Sequence, residues 1–300
     1  LPVMDIRSDI REFLTTRRGR LTPADVGLPD FGGRRRVPGL RREEVALMAG
    51  MSVEYYVRLE RGNATGVSES VLEGISRALQ LDDAERSHLY DLVRAANDGA
   101  QPSRRRPKAR AQTVRASVQQ LLDAMDTVPA FVQNSRLDLI AINRLGRAVF
   151  SELYVQPRRP ANFARFVFLD PRAEGFYRDW DGAAQQTVAL LRSEAGRAPH
   201  DRDLSDLVGE LATCSTLFRT LWASHDVREH RTGVKSLTHP VVGDLDLAYE
   251  ALDLSNDRGL QLIAYSAQPG SRDHDALQLL SSWTPPQCTS TLDDSRITKF

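Results

Sequence analysis

Along the first hundred residues, apolar positions recur at helical spacing. Ile6, Ile10, Phe13 and Leu14 fall on one face and predict a helix over 5–18. Residues 19–40 break that rhythm. Pro23, Pro29 and Pro38, with Gly27, Gly32, Gly33 and Gly39, leave no room for a long helix. Helices are predicted again over 42–49, 52–61, 68–79 and 82–95. Ser52, Ser68 and Asp82 can each accept from an exposed first-turn amide. Glu85 stands three residues after Asp82, the spacing of a capping box. The stretch 97–112, NDGAQPSRRRPKARAQ, carries two prolines, a glycine and five basic residues, and reads as a solvated linker.

The second half has a different texture. A helix is predicted near 114–125. Two short β-rich runs, 130–133 and 137–142, flank Asn134-Ser135 and read as a hairpin. Helices follow over 144–152, 172–193 and 202–224, then strands over 233–238, 245–253 and 261–267. Strands, helices and strands again make an α+β arrangement around an antiparallel sheet. The predicted fold class is therefore mainly α with α+β. A five-helix domain spans 5–96, a linker 97–112, an antiparallel-sheet domain with several helices 113–284, and a flexible tail 285–300. No internal repeat is found.

Composition adds constraints. The 300 residues suit two domains, and 41% apolar residues suffice for packed cores. The net charge of zero conceals an asymmetry. Residues 1–110 hold 20 Lys+Arg against 16 Asp+Glu, and the remainder 20 against 24. A basic half joined to an acidic half points weakly to a nucleic-acid module tethered to something else. No apolar run is long enough to span a bilayer, and no secretion signal is seen, with Met4 reading as the natural first residue. A cytoplasmic protein without a membrane partner is expected. Cys214 and Cys288 are too few for a disulfide framework or a four-ligand zinc site and read as reduced thiols.

The most informative segment is 42–62, REEVALMAGMSVEYYVRLERG. Two short helices that meet steeply through a tight turn need a small residue where they approach, and Ala46 supplies it. The turn needs a residue that tolerates positive φ, and Gly50 fits. Met51, Tyr56 and Leu59 can pin the second helix against Val45 and Ala49, and Gly62 can end it. The pieces Glu44-Val45-Ala46, Ala49-Gly50-Met51-Ser52, Tyr56, Leu59-Glu60-Arg61-Gly62 and Val71-Leu72 through Ala78-Leu79 resemble the phage-repressor-like (Cro/C1, or XRE) helix-turn-helix family over about residues 5–95. The resemblance implies a major-groove helix over 52–61 on a double-stranded DNA operator. Ser52, Val53, Glu54, Tyr55 and Arg58 would then face outward. Arg58 could fork to a guanine edge, Glu54 could accept from a cytosine amine, and Val53 could pack on a thymine methyl. Ser52 and Asn63 would hold phosphates, and Glu60 would make an intramolecular pair. Arg34, Arg35 and Arg36, with Arg41 and Arg42, form a cationic arm suited to phosphates or the minor groove. A homodimer is expected, because one such motif reads few base pairs.

A second resemblance spans both halves. RRRVPGLRREEVA at 34–46, Pro129-Ala130-Phe131-Val132, Ala141-Ile142-Asn143-Arg144, Phe168-Leu169-Asp170-Pro171, LWASHDVR at 221–228 and His239-Pro240-Val241-Val242-Gly243 resemble the MmyB-like regulators of actinobacteria, from about residue 5 to 282. The resemblance implies a PAS-like C-terminal domain that binds a small effector, with a fatty acid as one candidate. Residues 137–142, followed by Asn143-Arg144 and a helix, are how such a core begins. Phe131, Phe166, Phe168, Phe176, Tyr177, Trp180, Phe218, Trp222 and Tyr249 are candidates to line its pocket, and His225, Arg228 and His239 to anchor a carboxylate. Enzyme signals are poor. His225 and His230 are five apart in an HxxxEH run and do not share a helical face as zinc-protease histidines do. Asp123 and Asp126 read as a solvated face. No phosphate loop, GxSxG elbow, metal site or cofactor motif is found. The reading is a ligand-sensing DNA-binding regulator, the alternative a DNA-binding protein whose second domain serves dimerisation or a protein partner. A tightly filled sheet cup would favour the alternative.

Overall fold

The computed structural model describes residues 5–28, 39–98, 112–155, 160–199, 201–224, 232–257 and 259–282. The N-terminal part is helical: α1 (Ile6–Arg20), a short 3-10 turn (Ala24–Val26), α2 (Arg42–Met48), α3 (Val53–Glu60), α4 (Glu69–Ala78) and α5 (Asp83–Asp98). The apolar stripes read from the sequence meet in one core. Ile10, Phe13 and Leu14 of α1 pack with Val45 and Ala46 of α2, Tyr56 and Leu59 of α3, Ile75 of α4, and Leu89 and Leu92 of α5. Asp5 caps α1 by accepting from the Arg7 amide. Asp82 and Glu85 form the reciprocal pair expected ahead of α5.

The C-terminal part is mixed. In chain order it runs α6 (Ala116–Asp123), β1 (Ala130–Asn134), β2 (Leu139–Ile142), α7 (Arg144–Val149), a 3-10 turn (Ser151–Tyr154), α8 (Phe163–Leu169), α9 (Ala173–Phe176), α10 (Trp180–Arg197), α11 (Arg202–Cys214), α12 (Thr216–Ala223), β3 (Thr232–His239), β4 (Gly243–Asp253), β5 (Leu260–Ser266) and α13 (Arg272–Ser282). The five strands form one antiparallel sheet in the order β2-β1-β5-β4-β3. This is the PAS-like sheet expected of the second half. β1 is buried along its whole length because both faces are covered. Ala130 and Val132 pack on Val118 and Leu122 of α6, while Phe131 joins the larger core beneath α8 and α10.

Two predicted helices are divided. The stretch 172–193 is broken after α9, where Tyr177 bridges to Leu237 of β3 and Asp179 caps α10 by accepting from the Gly182 amide. Helix α10 then runs past the predicted end, to Arg197. The stretch 202–224 is broken at Ser215, whose extended backbone and side-chain bond to the Phe218 amide start a new helix. Both breaks come from side chains that satisfy first-turn amides better than a continuing helix would. Helix α8 was not expected. Its sequence, FARFVFL, is apolar on nearly every side and has no helical period, and Asn162 is its cap. Helix α13 was likewise not foreseen. No helix among the described residues is long and apolar enough to cross a membrane.

The two parts touch through α5 and α10. Arg197 of α10 meets Asp91 of α5 at 3.3 Å. A Cβ on Gly196 would stand 2.7 Å from two atoms of the His88 ring, so glycine sets how closely the helices approach. Asp9 of α1 lies within electrostatic reach of Arg192 of α10.

Candidate DNA-binding and effector sites

Helices α2 and α3 are joined by the four residues Ala49 to Ser52. Gly50 takes φ +70°, and the Met51 amide donates back to the Ala46 carbonyl at 3.0 Å. Few side chains adopt that φ without strain, so the glycine is required by the backbone. Ser52 caps α3, its Oγ accepting from the Tyr55 amide at 3.1 Å. Tyr56, Leu59 and Glu60 turn inward and are buried. Gly62 leaves the helix at φ +87°, where a Cβ would run into the Arg7 carbonyl. The angle between α2 and α3 is therefore fixed by the turn, the buried face and the close approach to α1.

Glu60 is 2% exposed and holds two cations. Its carboxylate accepts from Arg18 Nε at 2.7 Å and from Arg42 Nε. Arg18 also donates to the Leu40 carbonyl at 2.7 Å. The pairing ties α3 to α1 and to the start of α2. It matches the intramolecular role the resemblance implies for Glu60. It also places Arg42, a candidate phosphate contact, in a structural pair, although its side chain stays half exposed. Arg41 lies at 3.3 Å from Glu43.

Among the described residues, nothing buries the outward face of α3. Ser52, Val53, Glu54 and Arg58 are exposed, as is Asn63 beyond its end. Tyr55 is half-buried, with the Arg58 guanidinium 4.9 Å from its ring centre. That contact is of the cation–π kind and restricts the long arginine side chain. Arg34, Arg35 and Arg36 lie outside the described residues.

A second site sits between the sheet and the helices. A cavity of about 80 Å³ is lined by Phe131 and Gln133 of β1, Lys235 of β3, Tyr249 of β4, Gln261, Ile263 and Tyr265 of β5, and Ala183, Gln186, Thr187 and Leu190 of α10, with Phe163 and Val167 of α8 and Tyr177 closing it. Strand alternation brings these side chains to one face. Its walls are mostly apolar, but a polar line crosses it. Lys235 Nζ donates to Gln186 Oε1 at 2.5 Å, and Gln186 Nε2 donates to the Tyr249 hydroxyl at 3.0 Å. The ammonium also lies 5.5 Å from the centre of the Tyr177 ring. Burial pushes Lys235 down to about 8, with Asp179 opposing weakly through space. Burial likewise pushes the phenols of Tyr177 and Tyr265 up.

The aromatic candidates divide. Phe131 and Tyr249 line the cavity, as does Tyr177. Phe166 and Phe176 pack on one another at 5.6 Å in the surrounding core and do not line it. Trp180 donates through Nε1 to the Val167 carbonyl at 3.1 Å, a structural bond. Phe218 stacks on Trp222 at 5.5 Å, beneath the Arg192 guanidinium, and neither ring reaches the cavity. His239 is a correction to the anchor expected of it. It is buried, its Nε2 faces the Ala148 carbonyl at 3.0 Å and its Nδ1 accepts from the Val241 amide at 3.2 Å, so both ring nitrogens are engaged. Burial lowers its pKa and keeps it neutral. His225, Arg228 and His230 lie outside the described residues. Asp123 is exposed, as is Asp126.

Sequence reasoning missed Lys235, Gln133, Gln186 and Gln261. One signal was available. The chain has only three lysines, Lys108, Lys235 and Lys299, among its 40 basic residues, so a lysine in a predicted strand stands out.

Two family models match the chain. Residues 114–280, more than half of its length, match the ligand binding domain of MmyB-like transcription regulators. Residues 9–89 match a helix-turn-helix domain. No curated protein matches the chain.

Proposed function

The chain belongs to the MmyB-like transcription regulators, and from that premise we propose that it senses a small ligand in the sheet domain and reads a two-fold operator as a homodimer. The domains are taken as 5–96 and 113–284, joined by 97–112 and followed by a tail at 285–300, in a protein acting in the cytoplasm. Base readout is assigned to Val53, Glu54 and Arg58, and phosphate contact to Ser52, Asn63, Arg41 and the arm Arg34–Arg36. The observation that carries this assignment is the division of charges on α3. Glu60 points inward to Arg18 and Arg42 while Arg58 lies on the exposed face over the Tyr55 ring.

The experiment is selection from random duplexes followed by anisotropy titration. Arg58→Ala is expected to cost about 1–3 kcal/mol on the selected operator and to relax preference at one base pair. Equal loss at every sequence would assign Arg58 to the backbone instead.

The ligand is proposed to be apolar or fatty-acid-like, on the strength of the apolar walls around the cavity. Native mass spectrometry of the purified protein, with denaturing extraction of any adduct, tests this. A second reading follows from size. A cavity of about 80 Å³ is well below the roughly 300–1,000 Å³ of drug-sized ligand sites. A sheet cup this full also suits a domain that binds a second copy or a protein partner. A reproducible adduct favours the first reading, and a clean apo mass the second.

A further inference from the structure

Helix α13 has two unlike faces. Ala276, Leu277 and Leu280 are buried on one, where the helix packs on α7 and β4. Arg272, Asp275 and Leu279 succeed one another at spacings of three and four, so they share another face, and all three are exposed. Leu279 is 63% exposed, and Val241, in the turn between β3 and β4, is 55% exposed. Apolar side chains scattered singly over a surface are ordinary. These two instead line one open groove of about 820 Å³, together with Val242, Leu280, Arg272 and Asp275.

The charges at this groove are uncommitted. Among the described residues, neither Arg272 nor Asp275 makes an ion pair or a side-chain hydrogen bond. They stand three apart on one helix and are not paired with each other. Other arginines of the sheet domain are engaged. Arg178 pairs with Asp246, and Arg144 donates to the Ser281 carbonyl at the far end of α13.

We infer that this face of α13, with the turn between β3 and β4, is where a second copy of the chain docks across a two-fold axis. The inference rests on the homodimer reading and names its surface. A two-fold contact is made by the same patch on both copies, so each group must find its complement on that patch. A free cation and a free anion about one helical turn apart meet the condition. Antiparallel packing of two α13 helices sets Arg272 against the partner's Asp275, and Asp275 against the partner's Arg272. Leu279 enters the partner's groove beside the partner's Val241. The exposed ion pairs fix orientation more than they add affinity, and burial of the leucine and valine supplies the rest. Other partners fit this pattern less well. A nucleic-acid backbone calls for cations alone, and a partner of one dominant charge is repelled by half of the pair.

Sedimentation velocity of the full chain over a concentration series tests this. The wild-type chain is expected to be a dimer. Arg272→Asp sets like charges against each other in both pairs and should raise the dimer dissociation constant about tenfold or more. Asp275→Arg should do the same, and the double variant should return the constant to the wild-type value, because the complement is restored. Leu279→Glu should also weaken the dimer. If Asp275→Arg disturbs the first turn of α13, the other two single variants still decide. A dimer indifferent to Arg272→Asp and Leu279→Glu overturns this surface and leaves the homodimer reading in place. The groove would then belong to the chain's own residues 283–300 or to a different protein. Failure of a well-folded double variant to recover overturns the reciprocal pairing. A wild-type chain that stays monomeric throughout overturns both the surface and the homodimer.

Discussion

At the residue scale, the most consequential side chain of the N-terminal part is Glu60. It lies on α3 yet faces away from the exposed side proposed to read DNA, 2% exposed, between Arg18 and Arg42. Glu60→Ala leaves Arg18, itself 12% exposed at the side chain, without its counter-charge. The expected loss is about 3 kcal/mol of stability, read by urea denaturation. A loss near zero would mean that the pair is worth no more than a surface bridge. Several residue roles were legible in the sequence because each meets a stringent backbone demand. Gly50 and Gly62 sit at positive φ, and Ser52 at a cap. Lys235 was not legible, because a polar residue in an edge strand looks solvated until β4 and α10 are laid against it. His239 misled for the converse reason, since the bond to the Ala148 carbonyl is long-range.

At the element scale, α10 does two jobs with two stretches of its length. Ala183, Gln186, Thr187 and Leu190 line the cavity, and the last turns carry Arg192, Gly196 and Arg197 to α1 and α5. A shift of this helix on ligand binding would reach the DNA-binding helices without any intermediate loop. Gly196→Ala places a methyl group where the His88 ring stands, and is expected to cost about 1–3 kcal/mol by overpacking. Its effect on coupling is read as a changed ligand dependence of operator affinity. Asp9 adds a pH dependence at the same junction. Burial pushes its carboxyl up to about 6 from 3.8, against the pull of Arg192. The folded chain then holds a proton that the unfolded chain has lost, so the contribution is full below about pH 4 and disappears as pH rises through 6. Asp9→Asn should flatten the stability profile across that window and raise stability at pH 7, as thermal melts from pH 4 to 8 would show. An unchanged profile would remove Asp9 from the account. Elements with a clean period were legible, as in α1, α4 and β4. Helix α8 was not, since a segment buried on nearly all sides has no polar stripe to reveal its period.

At the scale of the whole molecule, charge is arranged for the partner. The basic excess of residues 1–110 comes from two runs, Arg34, Arg35 and Arg36 ahead of α2 and the five basic residues of 97–112. Joint replacement of Arg34, Arg35 and Arg36 by Gln should weaken binding to all duplexes alike and flatten the slope of log K against log salt by up to about three. An unchanged slope in anisotropy titrations would place those arginines away from phosphate. The division into a helical reader and a sheet sensor was legible because the hydrophobic period changes along the chain and a proline-bearing basic stretch lies between. How α5 lies on α10 was not, because nothing local in either helix names its partner.

The strand order also sets a sequence of events in time. β5 is the last of the five strands in chain order, yet it lies at the centre of the sheet, between β1 and β4. A chain growing on the ribosome cannot close this sheet, or give the cavity its Gln261, Ile263 and Tyr265 wall, until residues 260–266 have been made. Domains fold as units from the N-terminus at about 5–20 residues per second of synthesis, and pairing of distant strands is slow. The helices of the helix-turn-helix part are thus complete many seconds before the sheet domain. On the proposed reading, a message cut short before β5 would yield the helix-turn-helix part without the cavity that is proposed to sense.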